Sequence, residues 1–181
     1  MFSVGANIEF SYDASTLKKS FLESGGNMLS IQTDTNGFAN IELYNELFPF
    51  FENDSELVTD EMWKRMFYTA QTYIHQSIRK LVPADYDSIG SFDINDGSIS
   101  ISISLADYNK ADLQVMDATI YDALVYGAVA EWFTNADVEP LIKISRDKQA
   151  ESLTSLALVT RKLEAVLLRK PLKSAIFDSM I

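Results

Sequence analysis

The sequence of residues 113–133 is LQVMDATIYDALVYGAVAEWF. Apolar and small side chains cover most of the circumference that this segment would present as an α-helix. Ala123 and Gly127 are small enough to let a neighbouring helix approach closely. We therefore predict that the segment is the central, buried helix of a mainly α-helical protein.

A second long helix is predicted directly after this one. Residues 135–137 interrupt the apolar pattern, Pro140 suits a first helical turn, and the new pattern continues to about Arg169. Residues 113–169 would then form a long helix pair. The stretch from Lys143 to Glu151 is nearly all polar, so we expect that part of the second helix to project from the molecule.

An earlier helix is predicted over residues 59–82, with Thr59 as its N-cap and Arg79 in its last turn. Its apolar face comprises Met62, Trp63, Met66, Phe67, Ala70, Tyr73, Ile74, Ile78 and Leu81. Its polar face comprises Lys64, Tyr68, Gln71, Thr72, His75 and Arg79. Because Lys64 and Arg79 lie in a basic stretch of an acidic chain, we expect that face to contact an acidic neighbour.

Residues 91–105 change to a period of two, which is typical of a β-strand. The turn signal Asp96-Gly97 is followed by Ile99, Ile101 and Ile103, which alternate with serines, so we predict a β-hairpin arm. The serine face lacks the Lys or Pro that usually protects a strand edge. The arm would therefore either bind a partner or fold onto its own core.

The two ends of the chain are predicted to be less regular. Residues 1–40 alternate weakly and are broken at Gly25-Gly26, which indicates short strands and loops. Residues 170–181 form an apolar tail that includes Leu172, Ile176 and Phe177. Such a tail either lies in a groove of a neighbouring protein or docks on its own domain.

Composition limits the classes of function. The 181 residues suffice for one domain, 47% of them are hydrophobic, and none is Cys, which excludes thiolate chemistry and disulfides. The net charge of −11 disfavours nucleic-acid binding. The chain begins without a basic flank and apolar run and contains no apolar stretch of about 18 residues, so we expect neither a signal peptide nor a membrane helix.

No residue set predicts catalysis, a cofactor or a metal. His75 is the only histidine and has no partner placed by sequence, so we interpret it as a solvated or interface residue. Residues 93–104 lack the glycine position and final Glu of a calcium loop. Asp112, Asp117 and Asp122 are spaced by five, which spreads them around a helix, and solvated or capping roles are expected.

The stretch Tyr121–Phe133, followed by the long helix that ends at Leu167-Leu168-Arg169-Lys170-Pro171-Leu172, resembles head-to-tail connector proteins of tailed phages. The resemblance covers roughly residues 63–181. It implies a non-enzymatic virion protein, made in the host cytoplasm, that forms a ring of commonly twelve copies in the neck between portal and tail.

The resemblance also implies partners. These would be other copies of the chain, the portal, and other neck or tail proteins, and DNA would pass through an acidic ring without specific binding. The partner-binding residues, predicted from the hairpin, the apolar tail and the basic face of the 59–82 helix, are Lys64, Arg79, Asp96, Gly97, Ile99, Ile101, Ile103, Leu172, Ile176 and Phe177. The alternative is an acidic cytosolic interaction module or an inhibitor that mimics nucleic acid.

Overall fold

The computed structural model describes residues 2–4, 8–36, 60–81, 98–105 and 108–168. Its helices are α1 (Ala14–Asn36), α2 (Asp60–Ile78), α3 (Lys110–Asn135) and α4 (Glu139–Leu168), with a 3₁₀ turn at Arg79–Leu81. Its strands are β1 (Phe2–Val4), β2 (Ile8–Asp13) and β3 (Ser98–Ile103). The predicted mainly α fold with a small β element is confirmed.

Helix α3 is the centre of the bundle, as predicted. Helix α4 packs along it, and α2 and α1 contact its other sides. Met116, Ile120, Leu124 and Phe133 of α3 are completely buried. Residues of all four helices and of strands β2 and β3 belong to one hydrophobic core.

The turn between α3 and α4 sets the antiparallel helix pair. Asp137 adopts a left-handed conformation with φ of 57°. The Val138 amide donates to the Phe133 carbonyl at 3.1 Å, and the Asp137 amide donates to the Thr134 carbonyl at 3.3 Å. These two hydrogen bonds form a Schellman motif, which satisfies the last carbonyls of α3 and reverses the chain. The break predicted at residues 135–137 is confirmed.

The polar first half of α4 does not project, contrary to the prediction. Ser145 is completely buried and Gln149 is 4% exposed. Arg146 forms an ion pair with Glu131 of α3, and its other terminal nitrogen lies 3.2 Å from Gln149 Oε1. Polar side chains therefore contact α3 through specific partners, which a hydrophobic pattern could not indicate.

Replacing Glu131 by Ala is expected to lower the free energy of unfolding by about 1–2 kcal/mol, because Arg146 would lose a charge-assisted hydrogen bond at a largely buried site. Urea unfolding followed by circular dichroism measures this change. Glu151→Ala is the control, since Glu151 is exposed on the same helix pair and should matter by less than about 0.5 kcal/mol. Equal effects of the two variants would contradict the packing described.

Helix α2 confirms the predicted helix over 59–82, with two corrections to its faces. Gln71 was predicted on the polar face but is 1% exposed, whereas Tyr73 was predicted on the apolar face but is 42% exposed. His75 is half-buried, and its Nε2 atom has no hydrogen-bond partner among the described residues. The boundary between the faces is thus shifted, because α2 contacts both α3 and α4.

The prediction for the N-terminal segment is partly wrong. Strand β2 is confirmed, but residues 14–36, read as strands and loops, form helix α1. The buried positions Leu17, Phe21, Gly25 and Met28 follow helical spacing, so Gly25 occupies the packed face. Asp13 precedes the helix and accepts from the Thr16 amide at 2.8 Å, as an N-cap does.

Strand β3 confirms half of the predicted hairpin arm. It pairs antiparallel with β2, with Ile101 opposite Phe10, while residues 91–97 of the predicted arm lie outside the described residues. Ile99, Ile101 and Ile103 are at most 5% exposed, because they face the helices. Their side chains therefore fold onto the core of their own chain, which is one of the two predicted alternatives, and their role in binding a partner stays a prediction.

Candidate interaction surfaces

A groove with a volume of about 430 Å³ lies where β2 and the start of α1 meet α3. We call it the acidic groove. From the N-terminal segment it is lined by Ser11, Tyr12, Asp13 and Thr16. From α3 it is lined by Gln114, Asp117, Ala118, Tyr121 and Asp122. None of these described lining residues is basic, and three are aspartates.

Two tyrosines fix the walls of the acidic groove. The Tyr12 hydroxyl donates to the Asp117 carbonyl at 3.1 Å, and the Tyr12 and Tyr121 rings lie 5.8 Å apart between centroids. The hydroxyls of Tyr121 and Ser20 share a hydrogen bond of 2.6 Å. Burial, reinforced by the Asp117 carboxylate, raises the pKa of Tyr12 well above its usual value, so its hydroxyl stays protonated.

Two of the three carboxylates of the groove, those of Asp13 and Asp122, have different surroundings. Hydrogen bonds from Ser15 and then Thr16 lower the pKa of Asp13, which keeps it ionised. Partial burial raises the pKa of Asp122, and the described residues give this carboxylate no hydrogen bond or ion pair. A cation placed beside Asp122 would therefore replace lost water and stabilise its charge.

A second surface lies on α4. Leu153, Ala157 and Leu158, with Ala150, Thr154 and Arg161, line a shallow depression of about 450 Å³. We call these six residues the α4 stripe. Leu158 is 60% exposed, so this depression presents a large aliphatic side chain to solvent. The α4 stripe shares no residue with the acidic groove.

The structure separates the sequence-predicted partner residues. Arg79 is exposed in the 3₁₀ turn that follows α2 and does not line the acidic groove. Lys64 lies in α2, and its side chain is outside the described residues. Asp96, Gly97, Leu172, Ile176 and Phe177 lie outside the described residues.

Sequence reasoning missed the acidic groove. Asp117 and Asp122 were compared only with each other along one helix, which correctly showed that they form no site alone. The available signal was Asp13 followed by Ser15 and Thr16, a helix N-cap pattern at the end of a strand. Asp112, the third aspartate of the series, instead pairs with Lys162 at 2.6 Å.

Across the described ranges, no helix combines the length and apolar character needed to cross a membrane. Within the same part of the chain, no three His, Asp or Glu side chains are grouped so that they could hold a metal ion. Comparison of the sequence and structure with protein-family models, curated proteins and solved structures gives no match.

Proposed function

We propose that the chain is a non-enzymatic structural subunit of a tailed-phage neck, where copies associate side by side into a ring between portal and tail. One observation carries this proposal: the molecule has two distinct candidate contact surfaces, the acidic groove and the α4 stripe. A subunit that uses two different faces makes heterologous contacts, and such contacts close into a ring when the rotation permits.

The resemblance to connector proteins supports the same function. It rests on residues 121–133 and on the helix that ends near Leu168, and these segments form the antiparallel pair α3–α4. The exposed Leu158 gives that pair an outward apolar contact. Burial of such side chains between copies would stabilise a ring by the hydrophobic effect.

The net charge of −11 is consistent with a DNA passage. Carboxylates on a channel wall repel phosphates, so DNA would move through the ring without being retained. In this proposal the ring contacts lie between subunits and to the portal and tail proteins, and no contact reads a DNA sequence.

The test is the mass of the purified chain by light scattering across concentration and salt, combined with negative-stain images of the largest species. We expect a discrete closed ring. A monomer at every concentration would contradict the proposal. Capture of a basic protein with a steep salt dependence would instead favour the alternative of an inhibitor that mimics nucleic acid.

A further inference from the structure

We propose that the acidic groove of one copy receives residues 169–181, the segment that follows α4, from the neighbouring copy. The inference rests on the proposed ring, since it assigns one contact between the ring's copies. Three properties of the described residues lead to it: the charge of the groove, its apolar lining, and its position relative to the end of α4.

Charge complementarity selects this occupant. The groove presents Asp13, Asp117 and Asp122 and no basic residue among its described lining. Residues 169–181 begin with Arg169-Lys170-Pro171-Leu172-Lys173, so three cations fall within five positions of a chain whose net charge is −11. A cation beside Asp122 would give that carboxylate the ionic partner that the described structure does not supply.

The apolar part of the groove suits the rest of the segment. Besides the carboxylates, Tyr12, Tyr121 and Ala118 line the groove. The segment supplies Leu172, Ile176 and Phe177 after its cations. An apolar segment with flanking charges is the kind of ligand that a short groove with apolar walls and a charged rim recognises.

The position of the groove favours a neighbouring copy over the same chain. Helix α4 lies against the side of α3 that carries Asp112 and Glu131, which pair with Lys162 and Arg146. At 3.6 residues per turn, Gln114, Asp117 and Tyr121 of the groove lie roughly half a turn around α3 from Asp112, beside which α4 ends, and Asp122 lies about a quarter of a turn away. The last turns of α4, beside Asp112, therefore lie on a different side of α3 from most of the groove.

The end of α4 and the acidic groove also lie at similar positions along the axis of α3. Lys162 contacts Asp112 in the first turn of α3, so α4 ends beside the start of α3. The groove lies along Gln114 to Asp122, in the same half of α3. When the segment that one copy donates and the groove that receives it lie at similar positions along α3, neighbouring copies are related mainly by a rotation with little translation. Such a relation favours a closed ring over a helical filament.

The experiment is a charge exchange in the full chain. The tail variant carries Arg169→Glu, Lys170→Glu and Lys173→Glu. The groove variant carries Gln114→Lys and Asp122→Lys, which spare the N-cap Asp13 and the hydrogen bond of Tyr12 to Asp117. A matched control, Gln76→Lys with Glu151→Lys, makes the same change in charge at exposed positions away from the groove.

Each variant alone is expected to need at least about tenfold more protein to assemble, because like charges would then face each other. The control should assemble like the wild type. An equimolar mixture of the tail and groove variants should recover assembly with strict alternation, since the introduced glutamates would meet the introduced lysines and the native tail would meet the native groove. Light scattering measures assembly, and native mass spectrometry measures the ratio of the two variants.

The outcomes separate this inference from the proposed function. Rings that form equally well from the tail variant and the groove variant would overturn the tail contact and leave the ring standing. Variants that lose assembly but do not recover when mixed would also overturn it. A wild-type chain that stays monomeric up to its solubility limit would overturn both the contact and the ring.

Discussion

Replacing Phe10 by Ala is expected to lower the free energy of unfolding by about 3–5 kcal/mol, the range for truncating a buried aromatic side chain. Phe10 is completely buried at the centre of β2, between its neighbours Phe2 of β1 and Ile101 of β3. Its ring belongs to the core shared with the helices, so its loss leaves a cavity under the whole sheet. Urea unfolding followed by tryptophan fluorescence measures the change.

Glu9→Ala is the matched control for Phe10→Ala. Glu9 is the preceding residue of β2, lies opposite Ser102, and points to the exposed face. Its replacement should change the free energy of unfolding by less than about 0.5 kcal/mol. Similar effects at the two positions would mean that β2 does not present alternate faces to core and solvent, and would contradict the sheet described here.

Replacing Gly127 by Ala is expected to destabilise the fold by about 1–3 kcal/mol, although Ala is the better helix former by up to about 1 kcal/mol. A Cβ atom at this position would lie 2.7 Å from Ala70 Cβ and 2.5 Å from Gln149 Nε2. The amide of Gln149 can move, but Ala70 Cβ is attached to the backbone of α2. The helices must therefore separate, which thermal and urea unfolding would detect.

A double-mutant cycle tests this explanation. Ala70→Gly removes the nearer rigid atom, so adding it to Gly127→Ala should destabilise the protein by less than the sum of the two single changes. Ala130→Gly in the same helix, combined with Gly127→Ala, is the control, and its effects should be closer to additive. Full additivity of the first pair would show that contact with α2 does not require glycine at this position.

The helix pair and α2 could be predicted because their apolar residues recur at helical spacing and their ends carry breakers such as Pro140. Helix α1 could not, because Gly25-Gly26 reads as a break in a short pattern. Its packing against α2, where Phe21 and Trp63 lie 4.8 Å apart between centroids, overrides that local preference.

The groove was beyond sequence reasoning for a topological reason. Its two walls come from residues 11–16 and 114–122, which are about a hundred positions apart. Nothing in the spacing of Asp117 and Asp122 indicates that β2 lies beside them. The packing of the polar half of α4 was missed for a related reason, since Arg146 pairs with Glu131 on the other helix and donates to Gln149, and only the tertiary structure shows these contacts.

The pairing of β2 with β3 has a consequence for how the chain acquires its structure. Ile8 lies opposite Ile103, so helices α1 and α2 are synthesised between the strands that must meet. Closing so long a loop costs conformational entropy, and contacts between distant residues slow folding. During synthesis the backbone edge of β2 that pairs with β3 stays unpaired until β3 has left the ribosome. We therefore expect the antiparallel α3–α4 pair, whose contacts are local, to form early in refolding and the sheet to close late.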